Sequence, residues 1–236
     1  SQMNIKTLLL GLCGIPTVLA SSNIPDSEKR AIVNQLNKAR RDDSVHAAGM
    51  PIMSWDNALE SALLKYKADN SGGAIAYNGW SLLNEPAFKA FKDKGYIPLY
   101  HDTCKSAKDV AGIFAFRNKQ ARCFDLSKCS TTTFNNYASC FKNPIPPKIN
   151  CNWSWQYYPK FIDDQQRTIA CVSTGIRGTY APAKQKDSFW CYGKNTRKDS
   201  WPQKDLPFTE GDNCTKCPDD LPVCVNKLCT PKLALR

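Results

Sequence analysis

The chain has 236 residues, of which 32 are lysine or arginine, 21 are aspartate or glutamate and 12 are cysteine, so its formal net charge is +11. This length is enough for one sizeable domain with a small appendage. No arginine-rich block or nucleic-acid-binding motif occurs, so we expect no nucleic-acid partner, although the charge excess allows weak attraction to anionic lipids or acidic glycans.

The first residues have the pattern of a secretory signal peptide. Lys6 precedes a mostly apolar run from Leu8 to Leu19, and small residues follow it. The run is too short to span a bilayer, and Pro16 interrupts it. We therefore expect residues 1–20 to be a signal peptide, with residues 1–2 upstream of it, and the mature protein to be secreted, extracellular and without a transmembrane segment.

Two amphipathic helices are predicted next. Ser27 is expected to cap a helix from Glu28 to about Arg41, and its buried face is formed by Ile32, Leu36 and Ala39. A loop over residues 42–51 follows, and Ser54 is expected to cap the second helix. The side chains expected on the buried side of that second helix are Trp55, Leu59, Ala62, Leu63 and Tyr66.

Residues 71–150 are predicted to be loop-rich and stapled by disulfides. Short helices are expected over 88–92 and 107–115, and the Pro-Ile-Pro-Pro run at 144–147 would break any regular element there. The cysteines in or just beyond this region, whose pairing stays open, are Cys104, Cys123, Cys129, Cys140 and Cys151.

The same region has more aromatic side chains than an exposed loop needs. The simplest interpretation is that they fill a core, and the alternative is that they line a cleft for a hydrophobic ligand. The candidates for ligand contact are Tyr77, Trp80, Phe88, Phe91, Tyr96 and Tyr100.

Two strands are predicted after the loop-rich region. Residues 167–174 and 188–192 are rich in β-branched and aromatic residues, and they contain Cys171 and Cys191, whose pairing is also left open. A glycine and a proline lie between the two segments, so we expect an antiparallel hairpin.

Four cysteines punctuate the last 30 residues. Cys214, Cys217, Cys224 and Cys229 have the spacing C-x2-C-x6-C-x4-C, in a segment with too few apolar residues to order itself. An extracellular compartment favours disulfides over zinc for such a set.

Secretion bears on two further covalent features. Sequons at Asn152 and Asn213 are candidate glycosylation sites. Removal of the signal peptide takes Cys13 with it and leaves 12 − 1 = 11 cysteines, which is an odd number. One thiol is therefore expected to be free or paired with another chain, unless processing differs.

A catalytic site is not expected. The two histidines, His46 and His101, stand in no recognisable motif, no Gly-x-Ser-x-Gly elbow occurs, and most cysteines should be oxidised. The adjacent carboxylates Asp163 and Asp164 are expected to diverge into solvent.

The order of these elements resembles the CAP superfamily, which includes venom allergens, antigen-5 proteins and cysteine-rich secretory proteins. The matching segments are residues 31–40, 53–59, 168–172 and 211–229. The resemblance implies an α+β fold, a three-layer α-β-α sandwich over residues 21–206, and a disulfide-rich hinge-like tail over residues 207–236. It also implies that Cys214 pairs with Cys224 and that Cys217 pairs with Cys229.

The family's metal-binding tetrad looks degenerate in this chain. The family commonly has two histidines and two acidic residues in one cavity, whereas Leu36 and Tyr157 stand at the histidine positions here, and Glu85 is the candidate for an acidic member. Leucine offers no metal ligand. We therefore expect no metal, no other cofactor and no enzymatic activity.

Three functions follow from the resemblance, in order of preference. The first is a secreted non-enzymatic protein that binds a small hydrophobic ligand such as a sterol or fatty acid. The second is a secreted effector that binds and modulates a host or other extracellular protein, for which a large exposed apolar patch is expected. The third is a hydrolase.

Overall fold

The computed structural model describes residues 24–43, 45–69, 86–104, 107–128, 140, 142–144, 146–151, 154–177, 187–195 and 207–232. The helices in these ranges are α1 (Asp26–Arg40), α2 (Asn57–Asp69), α3 (Lys89–Asp93), α4 (Val110–Lys119) and α5 (Ser154–Phe161). The strands are β1 (Ser54–Trp55), β2 (Tyr96–Cys104), β3 (Thr168–Arg177), β4 (Asp187–Lys194), β5 (Val223–Val225) and β6 (Leu228–Thr230). Short 3-10 turns cover Pro86–Phe88, Gln120–Cys123 and Leu126–Lys128.

A four-stranded sheet in the order β1-β3-β4-β2 forms the middle of the fold. β1 runs parallel to β3, and β4 pairs antiparallel with both β3 and β2. The predicted hairpin is confirmed by the β3–β4 pair, in which Cys171 lies opposite Cys191 and forms a disulfide with it.

The alternation of side chains along β3 and β4 produces two cores, one on each face of the sheet. Ile169, Cys171, Phe189 and Cys191 join the core that contains residues of α1, α4 and α5. The intervening residues belong to the core that contains residues of α2, and they are Ala170, Val172, Trp190 and Tyr192. Helices therefore cover both faces, which confirms the predicted α+β, three-layer α-β-α sandwich.

Both predicted helix caps are wrong, although both helices exist. Ser27 lies inside α1, which follows Pro25 and has no side-chain cap. Ser54 belongs to β1, and the residue that caps α2 is Asp56, whose Oδ1 accepts the backbone N–H of Leu59 at 2.9 Å. Cap residue types cluster before each helix, so the sequence alone does not identify the one that is positioned to bond.

The region predicted to be loop-rich contains a full strand, β2. Gly95, at φ 82°, makes the turn from α3 into β2. Pro98 lies inside the strand, which is tolerated because β2 is at the edge of the sheet and needs hydrogen bonds on one side only. The glycine and proline mask the strand pattern, whereas the two predicted short helices agree with α3 and, three residues late, with α4.

The cysteine-rich tail closes over the sandwich. The pairs Cys214–Cys224 and Cys217–Cys229 are present as the family resemblance implies. The N–H of Cys229 donates to Met50 O at 2.8 Å, and the N–H of Ile52 donates to Cys229 O at 2.9 Å, so β6 continues the backbone pairing into residues 50–52. The tail is thus joined to the sandwich by hydrogen bonds and by a shared core.

The structure settles one further cysteine pairing. Cys123 pairs with Cys151, and Cys140 is also disulfide-bonded. Cys129 and the side chain of Cys104 lie outside the described residues, as do the predicted signal peptide and Asn152. Among the helices in the described ranges, none has both the length and the apolar content that a membrane-spanning segment needs.

Candidate ligand-binding groove

A groove of about 270 Å³ lies between α1, α4 and the 3-10 turn that follows α4. Tyr158 of α5, which is 1% exposed, lines its base. The other lining residues are Gln35, Lys38, Ala39, Asp42, Ala115, Asn118, Lys119, Ala121 and Arg122.

Small side chains leave this space open between two helices that are hydrogen-bonded to each other at Gln35 and Asn118 and nearer their starts. Ala39, Ala115 and Ala121 line the groove, and none of them reaches far enough to fill it. The Asn118 side-chain amide donates to Gln35 O at 2.6 Å. Toward the start of both helices, the N–H of Ala111 donates to Glu28 Oε2 at 2.9 Å.

The groove has an apolar interior and a basic rim. Lys38, Lys119 and Arg122 are exposed at the rim, where Asp42 is the acidic lining residue. An apolar interior favours a hydrocarbon chain. Two or three nearby cations favour an anionic head group.

The six aromatic residues proposed for ligand contact do not assemble into one described site. Tyr77 and Trp80 lie outside the described residues. Phe88 is 1% exposed in the core under α2, and Tyr100 is 4% exposed in the core on the opposite face of the sheet. Those two residues cannot line a common cleft, because the sheet separates them.

Phe91 and Tyr96 lie beside Phe88 and continue its aromatic packing. The ring centroids of Phe88 and Phe91 are 6.1 Å apart, and those of Phe91 and Tyr96 are 5.3 Å apart. The hydroxyl of Tyr96 donates to Asp56 Oδ2 at 2.6 Å, and burial followed by this bond raises the pKa of Tyr96 to about 12. These contacts are those of aromatic side chains packed in a core, and they do not form a ligand-binding cleft among the described residues.

The positions of the degenerate tetrad are only partly described. Leu36 is 2% exposed in the core beneath α1. Tyr157 is helical in α5 but its side chain lies outside the described residues, as does all of Glu85. Among the described side chains, three or more potential metal ligands cluster only at Cys214, Cys217 and Cys229, which are occupied by disulfides.

The two histidines are placed on different elements. His46 is exposed and lines a second, smaller cavity of about 180 Å³ with Phe208 and Glu210 of the tail. His101 lies on β2 opposite Trp190, and its side chain is outside the described residues.

The expectation that Asp163 and Asp164 point into solvent is wrong. They are 3% and 5% exposed, respectively. Asp163 Oδ2 accepts a bond from Asn195 Nδ2 at 3.0 Å, and Asp164 Oδ2 accepts the backbone N–H of Thr209 at 2.7 Å. The physical reason is that the chain turns inward after α5 and meets the tail, so both carboxylates are covered and hydrogen-bonded.

Arg40 is the buried cation of this polar cluster, and sequence reasoning missed it. It is 1% exposed and donates to three backbone carbonyls, of Phe161 at 2.9 Å, Pro51 at 2.7 Å and Asp163 at 2.9 Å. Burial lowers the pKa of Arg40 to about 10, and the charges of Asp163 and Asp164 oppose that shift. The sequence did contain a signal for this role, because Arg40 directly follows Ala39, which lies on the predicted buried face of α1.

Lys160 should make stability depend on alkaline pH. Burial lowers the pKa of Lys160 from 10.5 to about 8. Between these values the unfolded chain binds more protons than the folded chain, so folding stability rises with pH through that window. We expect urea unfolding to show a gain of about 1 to 2 kcal/mol from about pH 7.5 to about pH 10. Lys160→Met should lose this gain and the exposed-site control Lys216→Met should keep it, whereas equal slopes in both variants would contradict the assignment.

Comparison with known proteins establishes the fold. No model of a protein family and no curated protein matches the chain. The solved structure of BmVAL-1 is 13% identical, with 89% of this chain and 97% of that chain covered, at a TM-score of 0.50. Na-ASP-1 is also 13% identical at a TM-score of 0.50, with 87% of this chain and 47% of that chain covered, so this chain spans about half of its length. The Schistosoma mansoni venom allergen-like protein 4 is 14% identical, with 79% and 97% covered, at a TM-score of 0.42.

Proposed function

We propose that this chain, which has the fold of the venom allergen-like proteins of the CAP superfamily, is a secreted, non-enzymatic carrier of a small hydrophobic ligand. The observation that carries the proposal is the groove between α1 and α4, with its apolar interior and basic rim. A fatty acid suits this groove better than a sterol, because its carboxylate can meet Lys38, Lys119 or Arg122.

The dimensions of the groove limit how much of such a ligand it can hold. Its volume of about 270 Å³ is slightly below the lower end, about 300 Å³, of typical small-molecule sites. It therefore accommodates a short acyl chain, or the first part of a longer chain whose remainder lies along the open side. Each methylene removed from water contributes about 0.8 kcal/mol, so eight buried carbons contribute about 6 kcal/mol, and the contacts of the carboxylate with the basic rim would have to supply the rest of a micromolar affinity.

The non-enzymatic part of the proposal is supported by the character of the residues at the family's metal-binding positions. Leu36 packs in the core and offers no ligand atom. The buried carboxylates Asp163 and Asp164 are engaged in structural hydrogen bonds with Asn195 and the tail. The alternative of a protein-binding effector predicts a broad exposed apolar patch, whereas Phe116 is the single large apolar side chain exposed among the described residues.

Mass spectrometry of organic extracts from the secreted, disulfide-intact protein tests the proposal. We expect a stoichiometric fatty acid that is absent from a mock purification. Ala115→Trp should fill the groove and empty the extract, and the matched control Ala58→Trp, at an exposed position on α2, should retain the ligand.

Two results would count against a carrier of this kind. One is an empty extract from the unaltered protein that also fails to take up added palmitate in a displacement assay. The other is equal lipid content in both tryptophan variants, which would place the ligand away from the groove.

A further inference from the structure

Positive charge is unevenly distributed along the described chain. Residues 86–128 and 140–151 carry ten lysines and arginines against four acidic residues where they are described, whereas residues 24–69 carry seven of each and residues 207–232 carry three against four. Half of this excess, three of 10 − 4 = 6 charges, lies in α4 and the turn after it, where Arg117, Lys119 and Arg122 occur without an acidic residue. Lys38 of α1 adds to that excess, because it shares the groove rim with Lys119 and Arg122.

An exposed aromatic ring lies on the same part of the molecule. Phe116 of α4 is 45% exposed and is the large apolar side chain that the described surface leaves in water. It precedes Lys119 by three residues, so both side chains share the outward side of α4. The neighbouring Arg117 lies 5.6 Å from the Phe116 ring and donates from Nε to the hydroxyl of Tyr100 at 2.9 Å. The ring is thus presented from a helix whose next side chain is anchored in the core.

We propose that the outward side of α4 and the basic groove rim together dock on an anionic lipid bilayer. Phe116 enters the boundary between head groups and acyl chains, and Lys38, Lys119 and Arg122 face the lipid phosphates. We choose an anionic bilayer as the partner because of charge complementarity: an exposed aromatic ring on the same helix as exposed cations is a combination that holds proteins at a charged membrane interface. Docking of this face does not require the proposed ligand.

Docking in this orientation has a consequence that rests on the proposed function. The groove rim belongs to the docking face, so the mouth of the groove would open toward the bilayer. An amphipathic ligand could then pass between the bilayer and the groove without its hydrocarbon chain crossing water, which removes the hydrophobic cost of transfer.

Flotation with vesicles tests the docking with the full, disulfide-intact chain. We expect binding to vesicles of phosphatidylcholine with about 30% phosphatidylglycerol, little binding to phosphatidylcholine alone, and weakening at high salt as the charges are screened. Lys119→Glu with Arg122→Glu should weaken binding at least about tenfold, since each basic residue near a charged surface contributes about fivefold. Phe116→Ala should weaken it by about fivefold, with folding unchanged because the side chain is exposed.

The matched control is Lys216→Glu with Lys232→Glu, which changes the net charge equally at exposed positions on the tail. Retained binding in this control supports the docking face. Equal loss of vesicle binding in both charge-reversal variants would overturn the proposed docking face, because net charge alone would then explain the binding. Binding to heparin without binding to vesicles would also overturn it. The ligand extract is measured separately, so the two proposals can fail independently. Vesicle binding together with an empty extract rejects only the carrier function. A lipid-containing extract from a protein that does not bind vesicles rejects only the docking.

Discussion

Replacing Arg40 with alanine is expected to destabilise the fold by about 3 to 5 kcal/mol, which is a large share of the stability of a domain of this size. The guanidinium is 1% exposed and donates to the carbonyls of Phe161, Pro51 and Asp163. Its removal would take a donor from three buried carbonyls, of which that of Asp163 keeps the N–H of Gln166, and would remove a cation whose charge interacts with Asp163 and Asp164. The cost of those unsatisfied groups exceeds that of the packing lost with the side chain.

Urea unfolding followed by circular dichroism measures this effect, with Arg30→Ala on the exposed side of α1 as the control. Arg40→Lys should recover little of the stability, because an ammonium group cannot reproduce the planar fork that reaches three carbonyls in different segments. A loss within about 0.5 kcal/mol of the Arg30→Ala value would show that the buried cluster is not coupled through Arg40.

The parts of the fold that the sequence predicts are those encoded by local periodicity. Ile32, Leu36 and Ala39 recur at helical spacing, and all three are buried in the observed α1. The two segments around Cys171 and Cys191 alternate in the pattern of strands and pair as predicted. β2 was missed because Pro98 interrupts its pattern, and an edge position that tolerates proline is a property of the assembled sheet.

The candidate site could not be derived in the same way. The groove depends on alanines at positions 39, 115 and 121, which carry no chemical signal and come together only when α1 packs against α4. The aromatic residues had a strong signal, yet Phe88 and Tyr100 are buried on opposite faces of the sheet. A conspicuous side chain reports burial more often than binding, and the space left by small side chains is visible only in three dimensions.

The buried polar cluster around Arg40 is connected to the tail by hydrogen bonds. Arg40 bonds to the carbonyl of Pro51, and the residues on either side of Pro51 exchange backbone hydrogen bonds with Cys229. Asp164, beside the carbonyl of Asp163 that Arg40 also bonds, accepts the N–H of Thr209 at the start of the tail. A sequence reading that treats the tail as a separate module overlooks this coupling, because the tail residues lie 45 positions from their partner in the case of Asp164 and Thr209, and 229 − 50 = 179 positions in the case of Met50 and Cys229.

Removing the Cys217–Cys229 disulfide is therefore expected to cost more than removing the Cys214–Cys224 disulfide. The two bonds span similar separations, 12 and 10 residues, so the entropy that each removes from the unfolded chain is nearly the same. Cys229 is completely buried and pairs with residues 50–52, whereas Cys224, which lies opposite it in the β5–β6 hairpin, is exposed. We expect a loss of about 3 to 4 kcal/mol for Cys217→Ser with Cys229→Ser, and of about 2 kcal/mol for the other pair.

Thermal unfolding and limited proteolysis of the two double variants separate the two contributions. If chain entropy alone decides the result, the two variants should lose equal amounts of stability. If the burial of Cys229 matters, protease should cleave the tail of only the variant without the Cys217–Cys229 disulfide while the sandwich is still folded. Addition of Arg40→Ala to each variant then measures the coupling. The losses of stability should be non-additive when Arg40→Ala is combined with removal of the Cys217–Cys229 disulfide, because that pair is connected to Arg40 through Pro51. They should be additive when Arg40→Ala is combined with removal of the Cys214–Cys224 disulfide, which has no such connection. Additivity in both cycles would show that the tail is held by its own disulfides and not through the buried cluster.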